Sequence, residues 1–249
     1  GAATQGYIES FDSDGWTSKD GTSGTDPNKN NNKSSTTYVA WGWKANGGTR
    51  TTNTESGDNP AGGYQANTTA GFSIVDYVGT GATGTMAHGL GAVPHVMIVK
   101  NRATADQDWV VYHHKNTAAP ETDYLNLNTT GATTDTDVYW NDTAPTSSVF
   151  TLKDNSRVNE DGVNIFAYLF TEIQGYSKFG SYTGNGNADG TFVYTGFKPA
   201  WLMIKKSSGT EGWHILDHKR DVNENNARLQ AEGTGSEDTS EDGLDMLSN

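Results

Sequence analysis

The chain has 249 residues, only 33% of them hydrophobic, and a formal net charge of −13. That balance offers no basic footprint for nucleic-acid phosphates or for an anionic membrane, and the absence of cysteine excludes disulfides and thiolate chemistry. So few apolar residues make a thin core, which suits β-sheets with every second side chain facing out, and no apolar stripe of helical period competes with that reading.

In chain order, the Gly1-Ala-Ala start has neither the basic region nor the apolar run of a signal peptide. No apolar stretch reaches 18 residues, so no membrane insertion is expected. Asp12-Ser-Asp14-Gly15 resembles the opening of a calcium loop but lacks the third acidic ligand and the closing Glu. Calcium at Asp12 and Asp14 is therefore the one cofactor left open. Residues 17–37 are polar and read as a loop, with Asp26-Pro-Asn at its centre. Tyr38–Lys44 is a strand candidate. Residues 45–70 are rich in Gly, Thr and Asn, about twenty residues longer than the link after Phe170, and read as a surface excursion.

The next hundred residues alternate apolar runs with turn residues at the spacing of an antiparallel sandwich, with strands expected at Phe72–Val78, His95–Asn101, Trp109–His113, Tyr124–Asn128, Val149–Leu152 and Val163–Phe170. Strands are then expected at Phe179–Thr183, Phe192–Thr195, Ala200–Lys206, Trp213–Leu216 and Ala227–Gln230. The tail from Glu232 to Asp245, with Glu237, Asp238, Glu241 and Asp242, reads as a solvated acidic loop.

The chain repeats itself. Tyr77-Val-Gly79-Thr-Gly81 recurs as Tyr182-Thr-Gly184-Asn-Gly186, and Gly91-Ala-Val-Pro94 as Gly196-Phe-Lys-Pro199, both offset by 105 positions. Val96-Met-Ile-Val-Lys100 matches Trp201-Leu-Met-Ile-Lys205, and after the loss of one residue Trp109-Val-Val-Tyr-His-His-Lys115 matches Trp213-His-Ile-Leu-Asp-His-Lys219. A third trace, Tyr38-Val-Ala-Trp-Gly-Trp-Lys44, matches Ile165-Phe-Ala-Tyr-Leu-Phe-Thr171. The expected organisation is residues 1–47 as the end of a preceding repeat or as strands completing the last one, 48–70 as a polar insert loop, 71–175 as a complete β-sandwich repeat, and 176–249 as a second, C-terminally incomplete repeat. Strands from 7–43 would complete that last repeat in the same chain or in a neighbouring subunit, and the chain reads either as part of a longer array or as a pair of repeats closed by its two ends.

Tryptophan faces stack on sugars, but Trp41, Trp43, Trp109 and Trp213 hold repeat-equivalent positions, as core residues do. Trp16 and Trp140 lie in polar surroundings, so Trp16, Trp140, Asn141 and Asp142 are the sugar-binding candidates. His113 and His114 are adjacent and point to opposite faces if both are in a strand, so no histidine metal site is expected. The acidic positions do not recur between copies, since residue 217 faces His113, and no catalytic set is expected. A polysaccharide hydrolase or lyase, which needs two carboxylates across a cleft, is the weakest of three functional readings.

These phrases resemble a family found in tailed-bacteriophage virion proteins, often of marine phages, whose tandem module is known only as a domain of unknown function. The residues that carry the resemblance are Ser181-Tyr-Thr-Gly-Asn-Gly186, Gly196-Phe-Lys-Pro199, Trp109-Val-Val-Tyr-His113, Leu125-Asn-Leu-Asn-Thr129, Trp140-Asn-Asp-Thr-Ala-Pro-Thr-Ser147 with Val149-Phe150, and Tyr38–Lys44. The resemblance implies a non-enzymatic virion component of a tail fibre or capsid appendage, whose partners are other virion proteins and a host-surface polysaccharide, with a homo-oligomer as one form. The fold expected is all-β, in tandem antiparallel sandwich repeats of jelly-roll or lectin-like type. The alternative is a carbohydrate-binding module of a secreted bacterial protein.

Overall fold

A computed structural model describes residues 6–22, 32–45, 48–220, 227–239 and 245–246. The centre of the predicted 17–37 loop and the acidic residues Glu241 and Asp242 lie outside them. The chain divides into two compact units, Gly1–Trp43 and Lys44–Asn249. In the first, β1 (Tyr7–Phe11) and β2 (Trp16–Lys19) pair antiparallel with a bulge between Ile8 and Ser10. Their turn is closed by the Asp12 amide donating to the Gly15 carbonyl at 2.8 Å and by the Thr17 hydroxyl donating to Asp12 at 3.0 Å. Asp12 and Asp14 are thus hairpin-turn residues. Tyr38–Lys44, expected as a strand, forms none.

The second unit is built on one antiparallel sheet of eight strands in the order β10-β9-β8-β7-β12-β5-β4-β3. The strands are β3 (Thr51–Asn53), β4 (Ala61–Asn67), β5 (Phe72–Val78), β7 (Val96–Asn101), β8 (Val110–His113), β9 (Asp123–Asn126), β10 (Thr134–Asp135) and β12 (Asn164–Phe170). The predicted polar insert at 48–70 is corrected here, because β3 and β4 extend the sheet. Its strand character was hidden because β4 carries glycine where alternation would show an apolar residue. A Cβ at Gly62 would strike the Asp76 carbonyl and Tyr77 of the neighbouring strand, so only glycine fits there. Arg50 then binds Asp76 through two hydrogen bonds of 2.7 Å across β3, β4 and β5.

The pleat sorts the sheet's side chains. One face presents Val75, Tyr77, Met97, Val99, Val110, Tyr112, Ile165, Ala167 and Leu169, all buried. It is covered by a second, two-stranded sheet, β6 (Gly84–Ala87) with β11 (Val149–Leu152), through Met86, Phe150 and Leu152. The Tyr139–Trp140 turn and Val158, on a single helical turn α1 (Ser156–Asn159) capped by the Asn155 side chain, close the layer. The Tyr77 hydroxyl donates to the Val158 carbonyl at 2.6 Å, giving its buried polar end a partner. The opposite face carries a ladder of aromatic rings, with Phe72 against Phe170 at 4.8 Å, Phe166 against Tyr168 at 5.1 Å and Trp109 against Phe166 at 5.7 Å.

A third sheet, β13 (Trp201–Lys205), β14 (Trp213–Asp217) and β15 (Leu229–Gln230), packs on that second face. Trp213 lies among Val96, Val111 and Leu125, and its indole N–H donates to the Asn126 carbonyl at 2.9 Å. This sheet repeats β7-β8-β9 register for register. Val96 pairs with His113 as Trp201 does with Asp217, Ile98 with Val111 as Met203 does with Ile215, and Val111 with Leu125 as Ile215 does with Leu229. The correspondence stops there. Phe179–Thr183 and Phe192–Thr195, expected as strands, form none. The counterpart of Phe179–Thr183 in the first copy, β5, is a strand because β12 and β4 pair with it on either side, and no described residue gives the second copy a β12.

Candidate functional site

Three strand ends of the large sheet bring together His95, His114 and Glu172 just before β7, just after β8 and just after β12. Backbone bonds pin them, with the His95 amide donating to the Phe170 carbonyl at 2.7 Å and the His114 amide to the His95 carbonyl at 2.8 Å. The imidazole rings meet edge to face, 4.3 Å between centroids. Their nearest ring nitrogens and a Glu172 carboxylate oxygen lie within 4.8 Å of one another, a set of two histidines and a carboxylate with the composition of a zinc centre. Sequence reasoning missed it by treating His113 and His114 as strand neighbours. The strand ends at His113, and the β7–β8 register brings His95 beside His114.

The hydrogen bonding tests whether the set fits a cation. His95 Nδ1 is already engaged, by the Glu172 amide at 3.1 Å and the Thr171 hydroxyl at 3.0 Å. His114 Nε2 faces the Phe179 carbonyl at 2.9 Å and carries its proton there. The Glu172 carboxylate accepts the Lys178 ammonium at 2.9 Å and the Phe179 amide at 3.0 Å. Burial pushes the Glu172 carboxyl up, but Lys178 and the Phe179 amide outweigh it and hold it below its usual value. Burial, and next the neighbouring His114, lower His95. A cation would have to expel Lys178 from Glu172 and break the bond of His114 to the Phe179 carbonyl. As built, the cluster is a closed polar clasp that fastens the 172–179 segment to the sheet, and the residues do not fit a metal.

A second feature lies where the two copies meet. Asn116, Thr117, Thr122, Asp123, Thr133, Asp135, Ser207 and Ser208 surround an open pocket of about 590 Å³ together with three alanines. The Thr133 amide donates to the Ser207 carbonyl at 2.9 Å and the Glu211 amide to the Thr130 carbonyl at 3.0 Å, so the β13–β14 turn is stitched to the β9–β10 loop. Thr133 donates to the Asn116 side chain at 2.7 Å, and Thr117 donates to Asp123. The lining offers hydroxyl, amide and carboxylate groups and no cation, a donor and acceptor set suited to a polyhydroxylated ligand.

A family model described as a domain of unknown function, DUF7483, matches residues 2–249. The chain belongs to that family. No curated protein and no solved structure matches it.

Within this DUF7483 chain the predicted sugar-binding residues are divided between the two units. Trp140 is corrected outright. It is 1% exposed, its indole N–H donates to the Asp123 carbonyl at 3.0 Å, and Tyr112 packs edge-on against it at 6.1 Å. A ring enclosed on these sides offers no face to a sugar. Asn141 and Asp142 follow it in the turn at positive φ, 52° and 46°, with their side chains exposed. Trp16 lies on β2 in the N-terminal unit, 49% exposed. The polar pocket escaped sequence reasoning because its residues come from three loops in two copies and share no local motif.

Proposed function

We propose that this chain is a non-enzymatic structural and adhesive module of a tailed-phage virion, in a tail fibre or capsid appendage. It is built from tandem sandwich copies, and its loops meet a host-surface glycan or a neighbouring virion protein. The observation that carries the reading is the register-for-register recurrence of β7-β8-β9 in β13-β14-β15. Repeating one sheet unit along a chain and packing each copy on the last is how repeat proteins build extended surfaces. The polar pocket at the junction of the copies supports the adhesive half of the reading, since it exists only where two copies meet. Trp16 is a further stacking platform, accessible where Trp140 is not.

The test is a glycan-array screen of the chain with its molar mass measured by light scattering in the same buffer. Saturable binding to a defined sugar class, weakened by Asp135→Ala or Asn116→Ala and left intact by Trp140→Phe, supports the adhesive role. Absence of glycan binding together with a stable oligomer or docking to virion proteins supports the structural role alone. The same pocket favours a second reading, a carbohydrate-binding module of a secreted bacterial protein, which a sugar hit without any virion docking would select.

A further inference from the structure

We propose that the pocket where the two copies meet selects its sugar by charge. It takes neutral or amine-bearing hexose units and rejects units that carry a carboxylate, sulfate or phosphate. The inference rests on the reading of this pocket as the adhesive site and names the class of glycan it serves. Its basis is one pair of residues. Asp135 on β10 and Asp123 on β9 are direct partners in the antiparallel ladder. Residues so placed share a face of the sheet, and like charges there repel. Both line the pocket, and no lysine, arginine or histidine lines it with them.

The pair is left short of donors. One oxygen of Asp123 accepts the Thr117 hydroxyl. Its other oxygen, and both carboxylate oxygens of Asp135, have no hydrogen-bond partner among the described residues. Asp123 is buried at 4% exposure, and Asp135 is exposed. The lysines at the end of β13 do not offset the two charges. Lys205 gives its ammonium to the Thr130 and Lys206 carbonyls, at 3.3 and 2.8 Å, and the Lys206 side chain lies against Gly209. Neither lines the pocket.

An ionised carboxylate only accepts hydrogen bonds, so the pair takes its missing donors from the ligand. Sugar hydroxyls supply them, and an ammonium supplies them with an opposite charge. A uronate, sulfate or phosphate brings acceptors and a like charge instead. An anionic group about 5 Å from each of the two carboxylates is disfavoured on the order of tenfold even in water-like surroundings. The donors in the lining are uncharged and cannot neutralise it. They are the hydroxyls of Ser207 and Ser208 and the amide nitrogen of Asn116, whose oxygen is taken by Thr133. Such donors suit the ring and hydroxyl oxygens of an uncharged sugar, and the methyl groups of Ala118, Ala119 and Ala132 suit its C–H face.

The experiment is calorimetric titration of the full chain with matched oligosaccharides. They end in glucose, galactose or mannose, each also in its 2-amino and its uronic-acid form. The expected result is that, for the series that binds, the uronic-acid form binds at least about tenfold more weakly than the neutral form and the amine form at least as well. Asp135→Asn should narrow the gap between neutral and acidic forms several-fold. Asp154→Asn removes the same charge at an exposed position outside the lining and should leave the gap as it is. A uronic-acid form that binds as well as its neutral partner overturns the charge selection and leaves the pocket standing as a sugar site. A gap that Asp135→Asn does not narrow, or that Asp154→Asn narrows equally, overturns it too, because the net charge of the chain would then be its source. Binding that needs added calcium and is lost to a chelator overturns it as well, since the pair would then hold a metal. If no sugar in any series binds, the adhesive reading fails and the inference falls with it.

Discussion

The two copies of the β-sheet differ less in sequence than in what surrounds them. Strands β7, β8 and β9 sit inside an eight-stranded sheet with a layer on each face, whereas β13, β14 and β15 share the same pairing in a sheet of three whose first strand is only partly buried. Equivalent residues therefore do different work. The pairing register is a property of the local sequence, and burial is a property of the company the sheet keeps.

Matched substitutions measure that difference. Tyr77→Ala should cost about 3–5 kcal/mol in chemical denaturation while Tyr182→Ala costs a few tenths, because only the first ring is enclosed. Equal effects would mean that the second copy is covered in solution. Met97→Ala should cost about 2–4 kcal/mol and Leu202→Ala less, because Leu202 is only partly buried.

The equivalent strand ends His113 and Asp217 should divide the acid response between the copies. Burial, with His114 beside it, lowers His113 from 6.5 to about 4. The unfolded chain takes up that proton below 6.5 and the folded chain does not, so stability falls between pH 6.5 and 4, by about 3 kcal/mol at most. His113→Asn should flatten this part of a stability–pH curve. Burial pushes the Asp217 carboxyl up, but the Arg220 guanidinium at 2.7 Å and the amides of Arg220 and Lys219 outweigh it and hold it below its ordinary 3.8. Its contribution is thus complete at higher pH and is lost only as pH falls below 3.8. Asp217→Asn should leave the His113 window unchanged and lessen the slope beneath it. The smallest effect belongs to Trp16→Ala, which should leave stability within about 0.5 kcal/mol and move only glycan binding.

Much of the fold was legible where side chains alternate. β5 and β11 lie where the apolar period places them, residue for residue, and the repeat offset aligned β13 and β14 with β7 and β8 before their pairing was known. β4 was not legible, because the close approach of β5 demands glycine and erases the alternation. Trp140 misled because a turn residue in polar company reached under the sheet instead of outward. Phe179–Thr183 and Phe192–Thr195 have strand composition without strand neighbours, and a strand is made by its pairing. The His95–His114–Glu172 clasp was beyond single-residue reasoning, since its members are joined only by register.

The place of β12 has a consequence for how the molecule is made. It is the last strand of its copy to be synthesised, yet it lies between β5 and β7, which do not pair with each other. Until it arrives the nascent copy is two separate meanders, β3–β5 and β7–β10, each with an open apolar margin. Closure must wait for these distant segments to meet across it, which makes folding slow and leaves the waiting margins available to strands of other nascent chains on the same message.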